Sequence, residues 1–331
     1  MAALLTDVAK RAGVSLATAS RAFGEPDRVA AATRDRVLAA AAALGYVAPS
    51  NTAGRTFGVI VPDISNAVFA ALVKSIQSQA WHGRHRMLLS DTNEEASRER
   101  ELLTMSRGVD GVILCSPRLP AREIRELVGS TPMVVINREV DATTSLLLEA
   151  DQGLRQAVEH LAALGHRVIA YVNGPASSWA NDARRRSIEQ AASSCGVEVV
   201  AVGNQAATVH GGLAAAASVA ATPATAVIAY NDLVALGLRS GLRHLNIDCP
   251  GDMSVVGIDD LDVAAASEPE LTSVRIAIEH GGSLGLELLL ERISGRPPAQ
   301  AVIRLESQLI VRRSTAIART RNASLLDRPH P

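Results

Sequence analysis

Apolar and polar positions change rhythm along this chain. Between residues 4 and 46 only helix signals occur. A short helix is expected over residues 7–12, with Thr6 as its cap and Asp7 in its first turn. Gly13 ends it, Val14 is apolar, and Ser15 caps a second helix over residues 16–23. Gly24, Pro26 and Asp27 form a loop. Thr33 caps a third helix, 34–44, whose Val37, Ala40, Ala41 and Leu44 recur at helical spacing, and Gly45 stops it. Residues 47–57, with Pro49, Ser50, Asn51, Thr52 and Gly54, read as linker. From Gly58 short apolar runs alternate with helical segments. Strands are expected at 58–63, 87–90, 112–115 and 133–136, with helices at 66–81, 94–107 and 122–128. A second series begins near Asp151. Its strands are 168–172, 197–202, 226–230, 254–258 and a last one over 301–311; its helices are 152–164, 183–194, 211–220, 233–244 and 279–293. Unbroken apolar strands alternating with helices predict two parallel sheets, each covered on both faces. Ligands in such sheets bind beyond the carboxyl ends of the strands, so two facing domains would form a cleft there.

Composition narrows the class. The 331 residues are 47% apolar and 20% charged, which excludes wholesale disorder. No apolar run approaches the roughly 18 residues of a membrane span. Asp7 and Lys10 interrupt the N-terminus, so no signal-peptide core is expected. Cys115, Cys195 and Cys249 are odd in number and far apart, which suits a reduced, cytoplasmic chain without a zinc motif. The net charge is −1, yet residues 1–50 carry six bases against four acids. A mildly basic head on a mildly acidic body suits a small DNA-contacting module.

The segment from Thr6 to Arg21 is helix, glycine turn, helix. Val8, Ala9, Val14 and Ala19 are small or apolar where two short helices must lock together. That pattern predicts a helix-turn-helix, whose second helix enters the major groove. Leu16 and Ala17 offer apolar contact to thymine methyl groups, Thr18 projects beside them, and Arg21 can fork onto guanine or phosphate. Thr6, Ser15 and Ser20 suit phosphate oxygens. A protein-binding helical subdomain is the blander alternative.

Residues 4–46 resemble the DNA-binding head of the LacI/GalR (lactose-repressor) family of bacterial transcription regulators. The resemblance continues through GVIVPDISN (58–66), RGVDGVIL (107–114), VEHLAALGHR (158–167), YNDLVALG (230–237), SVVGIDD (254–260), LTSVR (271–275) and VRRST (311–315). Ordered motifs over most of the chain are far more specific than any one alone. The implied fold is a small all-α helix-turn-helix head followed by an α/β core of two parallel-sheet subdomains, like a periplasmic binding protein. The implied bounds are a head at 1–50 and a linker at 51–57. One core subdomain takes 58–150 with about 277–304, the other 151–276 with about 305–315, and 316–331 form a tail. The resemblance also places Thr33 and Tyr46 among the DNA-contacting residues, and implies a homodimer on a double-stranded, pseudo-palindromic operator. Two departures stand out, the linker and the effector pocket. Eleven residues separate Tyr46 from Gly58 and none is leucine, so the family's minor-groove wedge has no counterpart. The tail lacks leucine heptads, so no tetramerising bundle is expected.

At the family's ligand-contacting places stand Phe69, Asn137, Arg138, Arg184, Asn231 and Asp259. Such groups pair buried hydroxyls, which points to a sugar or polyol effector. The usual stacking aromatic is replaced by Ala207, and Ile276 stands where a polar residue is frequent. Other readings stay open. Asp259 and Asp260 cap a helix or touch ligand. One of Asn231 and Asp232 caps a helix, with Asp232 favoured for that role. Arg138 is a ligand contact or an ion-pair partner. The histidines at 82, 85, 166, 210, 244 and 280 read as surface or helix-end residues, and Trp81 and Trp179 as core, or Trp179 as a pocket lid. No nucleophile elbow, P-loop or metal-ligand pair appears, so neither an enzyme nor a cofactor is expected. The remaining alternative is a solute-binding protein without sequence-specific DNA binding.

Overall fold

The computed structural model describes residues 5–24, 28–44, 46, 54–296 and 300–319. The chain divides into two compact units, Met1–Thr56 with Ala80–Arg86, and Phe57–Gln79 with Met87–Pro331.

In the smaller unit, α1 spans Leu5–Ala12, α2 Leu16–Gly24 and α3 Ala31–Leu44. Gly13 turns the chain between α1 and α2 at φ +64°, a left-handed conformation that favours glycine. Val8, Ala9, Ala19, Ala22, Val37, Ala40 and Ala41 form the core, and the rings of Phe23 and Tyr46 meet at 5.8 Å. Alanines at most core positions let these short helices approach closely. Two expected caps are corrected. The helix α1 already contains Leu5, so Thr6 lies inside its first turn. The carbonyl of Ala30 accepts from the N–H groups of both Thr33 and Arg34, so α3 starts before Thr33. Ser15 does cap: its hydroxyl oxygen accepts from the Thr18 N–H at 3.1 Å.

The larger unit holds two six-stranded sheets. The first contains β1 (Thr56–Val61), β2 (Arg86–Asp91), β3 (Gly111–Cys115), β4 (Met133–Ile136), β5 (Thr144–Leu148) and β11 (Val302–Leu305), in the order β11-β5-β4-β3-β1-β2. The second contains β6 (Val168–Val172), β7 (Glu198–Val202), β8 (Ala226–Ala229), β9 (Ser254–Asp259), β10 (Thr272–Arg275) and β12 (Gln308–Ile310), in the order β12-β10-β9-β8-β6-β7. The central strands β3, β4, β8 and β9 are buried along their whole length, the first three as apolar runs and β9 with Ser254 and Asp259 at its ends. Registers such as Leu114 opposite Val135 and Val227 opposite Val255 align the carboxyl ends of neighbouring strands. The helices that matter for the site are α4 (Ala67–His82), α8 (Trp179–Cys195), α10 (Asp232–His244), α11 (Asp262–Ala266) and α12 (Ile278–Ile293).

The structure differs from the sequence reading in several places. Residues 301–311 form two strands in different sheets, broken where the buried Ser307 hydroxyl accepts from the Gly153 N–H. The second of these, β12, runs antiparallel to β10. The strand β5 and the helix α11 escape the apolar pattern: Thr144 and Ser145 dilute the first, and the second is only five residues long. His166 is buried, bonded through Nδ1 to the Thr225 hydroxyl and through Nε2 to the Ser254 hydroxyl and the Ala316 carbonyl. Trp81, in contrast, is 80% exposed and not core. Residues 47–53, on which the missing leucine wedge was read, and 320–331 of the tail lie outside the described residues. No helix of the described residues is long and apolar enough to cross a membrane.

Candidate functional site

Two surfaces carry the chemistry. On the head, Ala19 and Ala22 turn one face of α2 into the core. Helical geometry then leaves Leu16, Ala17, Ser20 and Arg21 exposed, with Ser15 exposed at the cap and Thr18 half-buried above it. Leu16 is an apolar side chain held half in solvent by a helix that has buried its other face. Thr6 is exposed on α1, whereas Thr33 and Tyr46 are half-buried. Tyr46 packs against the head's core, which gives its ring a structural task.

The second surface lies at the carboxyl ends of the sheets in the larger unit. Arg184, in the second turn of α8, reaches beyond β8 and β9. Its Nη1 donates to the Tyr230 carbonyl at 2.5 Å, its Nη2 to Asp259 Oδ1 at 3.3 Å, and its guanidinium lies 4.7 Å from the centre of the Tyr230 ring. Both ion-pair partners are largely buried, with side chains 11% and 2% exposed. Asp259 is therefore a buried ion-pair partner. It does not cap α11, which starts after Leu261 without a side-chain cap bond. Burial raises its carboxyl to about 7, against the pull of Arg184.

Beneath it sits Asp232, which opens α10. Asn231 is the N-cap of α10, accepting from the Val234 N–H at 2.8 Å, and its amide donates to the Ala207 carbonyl. Asp232 instead turns inward, fully buried, and accepts from the Ser273 hydroxyl at 2.6 Å and the Leu261 N–H at 2.8 Å. Burial first, then the neighbouring charge of Asp259, raises Asp232 to about 8. Room for it exists because residue 257 is glycine: a Cβ there would stand 2.1 Å from Asp232 Oδ1. The chain leaves β9 through Asp259 at φ 112° and Asp260 at φ 56°. Two successive side chains at positive φ are costly, and Asp260 holds the turn by accepting from Arg275 and Arg312, each at 2.6 Å.

Two cavities border this pair. One, of about 360 Å³, takes Arg184, Trp179 and Ala183 from α8 and Asn137, Leu148 and Glu149 from the first sheet's strand ends. The other, of about 570 Å³, takes Asp259, Asp260, Ile276, Ala71 and the start of α12. The ion pair thus places Arg184 at the first cavity and Asp259 at the second. Of the residues expected at a ligand site, Asn137 and Arg184 share the first cavity and Asp259 lines the second. Asn137 also braces the backbone, with Oδ1 accepting from the Leu148 N–H at 3.1 Å. Phe69 is buried in α4 and lines neither cavity; nor does Asn231. Arg138 also stands apart, donating to the Pro117 carbonyl at 3.0 Å. Missed altogether were Asp232 as a buried acceptor, and Glu139, Glu149 and Arg304, which form an ion-paired cluster on the first cavity's wall. Only the YND and GIDD motifs drew attention near Asp232; nothing in local spacing marks Arg304.

A helix-turn-helix joined to a two-sheet core with a charged cleft defines a DNA-binding regulator with a small-molecule receptor. Residues 4–49 match the model for bacterial regulatory proteins of the lacI family, and residues 158–315 match the periplasmic binding protein-like domain. The chain is 33% identical to the HTH-type transcriptional regulator MalR of Streptomyces coelicolor, covering 96% of this chain and 98% of that protein. Its fold is similar to the Lac repressor dimer bound to operator and the anti-inducer ONPF, with a TM-score of 0.76 at 24% identity over 96% of this chain and all of that one. It is similar also to a LacI family transcriptional regulator from Enterococcus faecium with bound ribose, with a TM-score of 0.73 at 28% identity over 80% of this chain and all of that one. The chain belongs to the LacI family of bacterial transcription regulators, and it is not an enzyme.

Proposed function

We propose that the protein is a cytoplasmic repressor of genes for sugar or polyol use, binding a pseudo-palindromic operator as a homodimer and released by a neutral sugar. The observation that carries this reading is the pairing, in one chain, of an exposed recognition face on α2 with a buried Arg184–Asp259 pair at a cleft. Leu16 and Ala17 meet thymine methyl groups, and Arg21 reads guanine or phosphate. Ser15, Ser20, Thr6, Thr18, Thr33 and Tyr46 set the register along the backbone. The core is organised as residues 58–150 with 277–304, and 151–276 with 305–315. Asn137, Arg184 and Asp259 take the effector's hydroxyls. A relative that carries ribose supports a sugar of modest size, as does a cavity near the lower end of the ~300–1,000 Å³ usual for ligand pockets.

An unpaired edge supports the dimer. The strand β2 ends its sheet, and its adjacent Leu88 and Leu89 are 55% and 41% exposed on opposite faces, with Met105 also exposed. Such an edge invites association unless a partner covers it. Sedimentation of the full chain at the dimer mass is the expected result; a stable monomer or tetramer contradicts it.

The DNA reading is tested on Arg21. Replacing Arg21 with Ala is expected to weaken binding to the specific operator by about 1–3 kcal/mol, with a much smaller loss on scrambled duplex. Equal losses on both assign Arg21 to phosphate alone.

A further inference from the structure

By sequence Trp179 is core or a pocket lid, and the proposed effector contacts give it no role. It opens α8, and the first turn of that helix is clamped. The buried Ser178 caps it, accepting from the Asn181 N–H, and its hydroxyl bonds the Tyr230 hydroxyl at 3.0 Å. Asn181 Oδ1 accepts from the Gly174 N–H at 2.7 Å and the Tyr171 hydroxyl at 3.2 Å. The backbone that carries Trp179 is therefore fixed, yet its ring is only half-buried. That ring lies on the wall of the 360 Å³ cavity and is the one aromatic side chain among the cavity's lining residues. Ala180, Ala183 and Arg184, also on α8, line the same cavity.

The charges around this cavity are largely matched internally. Arg304 is held by both Glu139 and Glu149 and Arg184 by Asp259, while Asp151, on the exposed side, accepts from the neutral Ser187 hydroxyl. Arg186 is on the exposed side. A charged ligand finds no buried, unmatched counter-charge here, whereas a neutral one bearing hydroxyls finds acceptors, amides and one flat apolar face. An indole presents a negative π-face, to which the C–H groups on one side of a sugar ring are complementary.

We propose that Trp179 is the stacking platform for the effector and selects a neutral cyclic sugar over its phosphorylated counterpart. This rests on the reading of the Arg184–Asp259 cleft as the effector site, and adds to it the residue that recognises the ring. The ring face then comes from the start of α8, where the sequence offers only Ala207 at the place first expected to supply it.

The chain has two tryptophans, so Trp81→Phe makes Trp179 the sole indole reporter in the full-length protein. Ribose, glucose, galactose, maltose and cellobiose, with ribose 5-phosphate and glucose 6-phosphate, are titrated while indole emission and the melting temperature are followed. At least one neutral sugar is expected to raise the melting temperature and shift Trp179 emission with the same saturation midpoint, while its phosphate does neither. Trp179→Ala is expected to weaken that sugar about tenfold, and Trp179→Phe to restore most of the loss, because either ring supplies a π-face. Thermal unfolding of both variants without ligand separates this from misfolding. A sugar that stabilises the protein in an Asp259-dependent way, yet leaves Trp179 emission and the Trp179→Ala affinity unchanged, overturns the platform and keeps the site. Binding indifferent to Asp259 overturns the site reading as well. Tighter binding of a phosphate, or no response to any neutral sugar, overturns the proposed selectivity.

Discussion

Asp259→Asn is expected to abolish release from the operator by the sugar, while operator affinity without sugar stays within about twofold because the two sites act independently in the absence of ligand. The carboxylate is the anionic half of a buried pair at the cleft, and its partner Arg184 has a carbonyl and a ring as its other contacts. A hydrogen bond to a charged group contributes about 1.5–3 kcal/mol, so its loss weakens the effector roughly 10- to 150-fold. Asp259→Ala is the harsher change. It leaves the Arg184 guanidinium buried without its counter-ion, and breaking such a pair costs about 3–5 kcal/mol. The Ala variant is therefore expected to melt well below the Asn variant. Anisotropy of labelled operator with increasing sugar reads the first effect, and thermal unfolding the second. Normal release in the Asn variant assigns Asp259 to structure alone.

The second large effect falls on Asp232. Replacing it with Ala strips acceptors from the Ser273 hydroxyl and the Leu261 N–H in a fully buried place. Each unsatisfied donor costs about 1–3 kcal/mol, and the void adds to that. The pH behaviour has a definite sign. The carboxyl is raised from 3.8 to about 8 by burial, so across that window the folded state holds a proton that the unfolded state lacks. Its contribution is fully present below pH 4 and is lost as the pH rises through 8. Asp232→Asn, which cannot ionise, is expected to show a melting temperature that falls less between pH 5 and pH 8 than that of the parent. A steeper fall in the variant contradicts this assignment of the proton.

How much of this was legible in the sequence varies with the distance over which each feature is determined. The head was readable almost residue by residue, because a glycine turn, a serine cap and alanines at helical spacing act within a few positions. Its errors were caps, Thr6 and Thr33, displaced because a helix can start earlier on backbone bonds alone, as Ala30 shows. The alternation of strands and helices was also legible, since strands buried on both faces are mostly apolar, though the buried β5 escapes the pattern through Thr144 and Ser145. What failed was determined across the fold. Residues 301–311 form one apolar stretch by pattern, yet two sheets divide it at Ser307, which answers a backbone N–H 154 positions away. Asp232 passes for a helix cap in sequence, while its partners lie 29 and 41 positions further on. Trp179 reads in sequence as core or as a pocket lid, and its half-exposed place on a cavity wall follows from the clamped start of α8.

These features converge on one linkage. The effector and the operator bias the same protein, so a sugar that lowers operator affinity must itself be bound more weakly by the operator complex, by the same factor. A shift of about 1–3 kcal/mol, roughly 5- to 150-fold, is the usual size of such a coupling.

Fluorescence anisotropy of the full-length protein on pseudo-palindromic duplexes from its own upstream region, against a scrambled duplex and across a salt series, tests the central claim most directly. The account predicts tight binding to at least one pseudo-palindrome, far weaker binding to the scrambled duplex, affinity that falls steeply with salt, and release when the neutral sugar that stabilises the core is added. Binding no tighter than to scrambled DNA, with the sugar still bound by the core, would contradict it and leave a solute receptor whose head is not a specific reader.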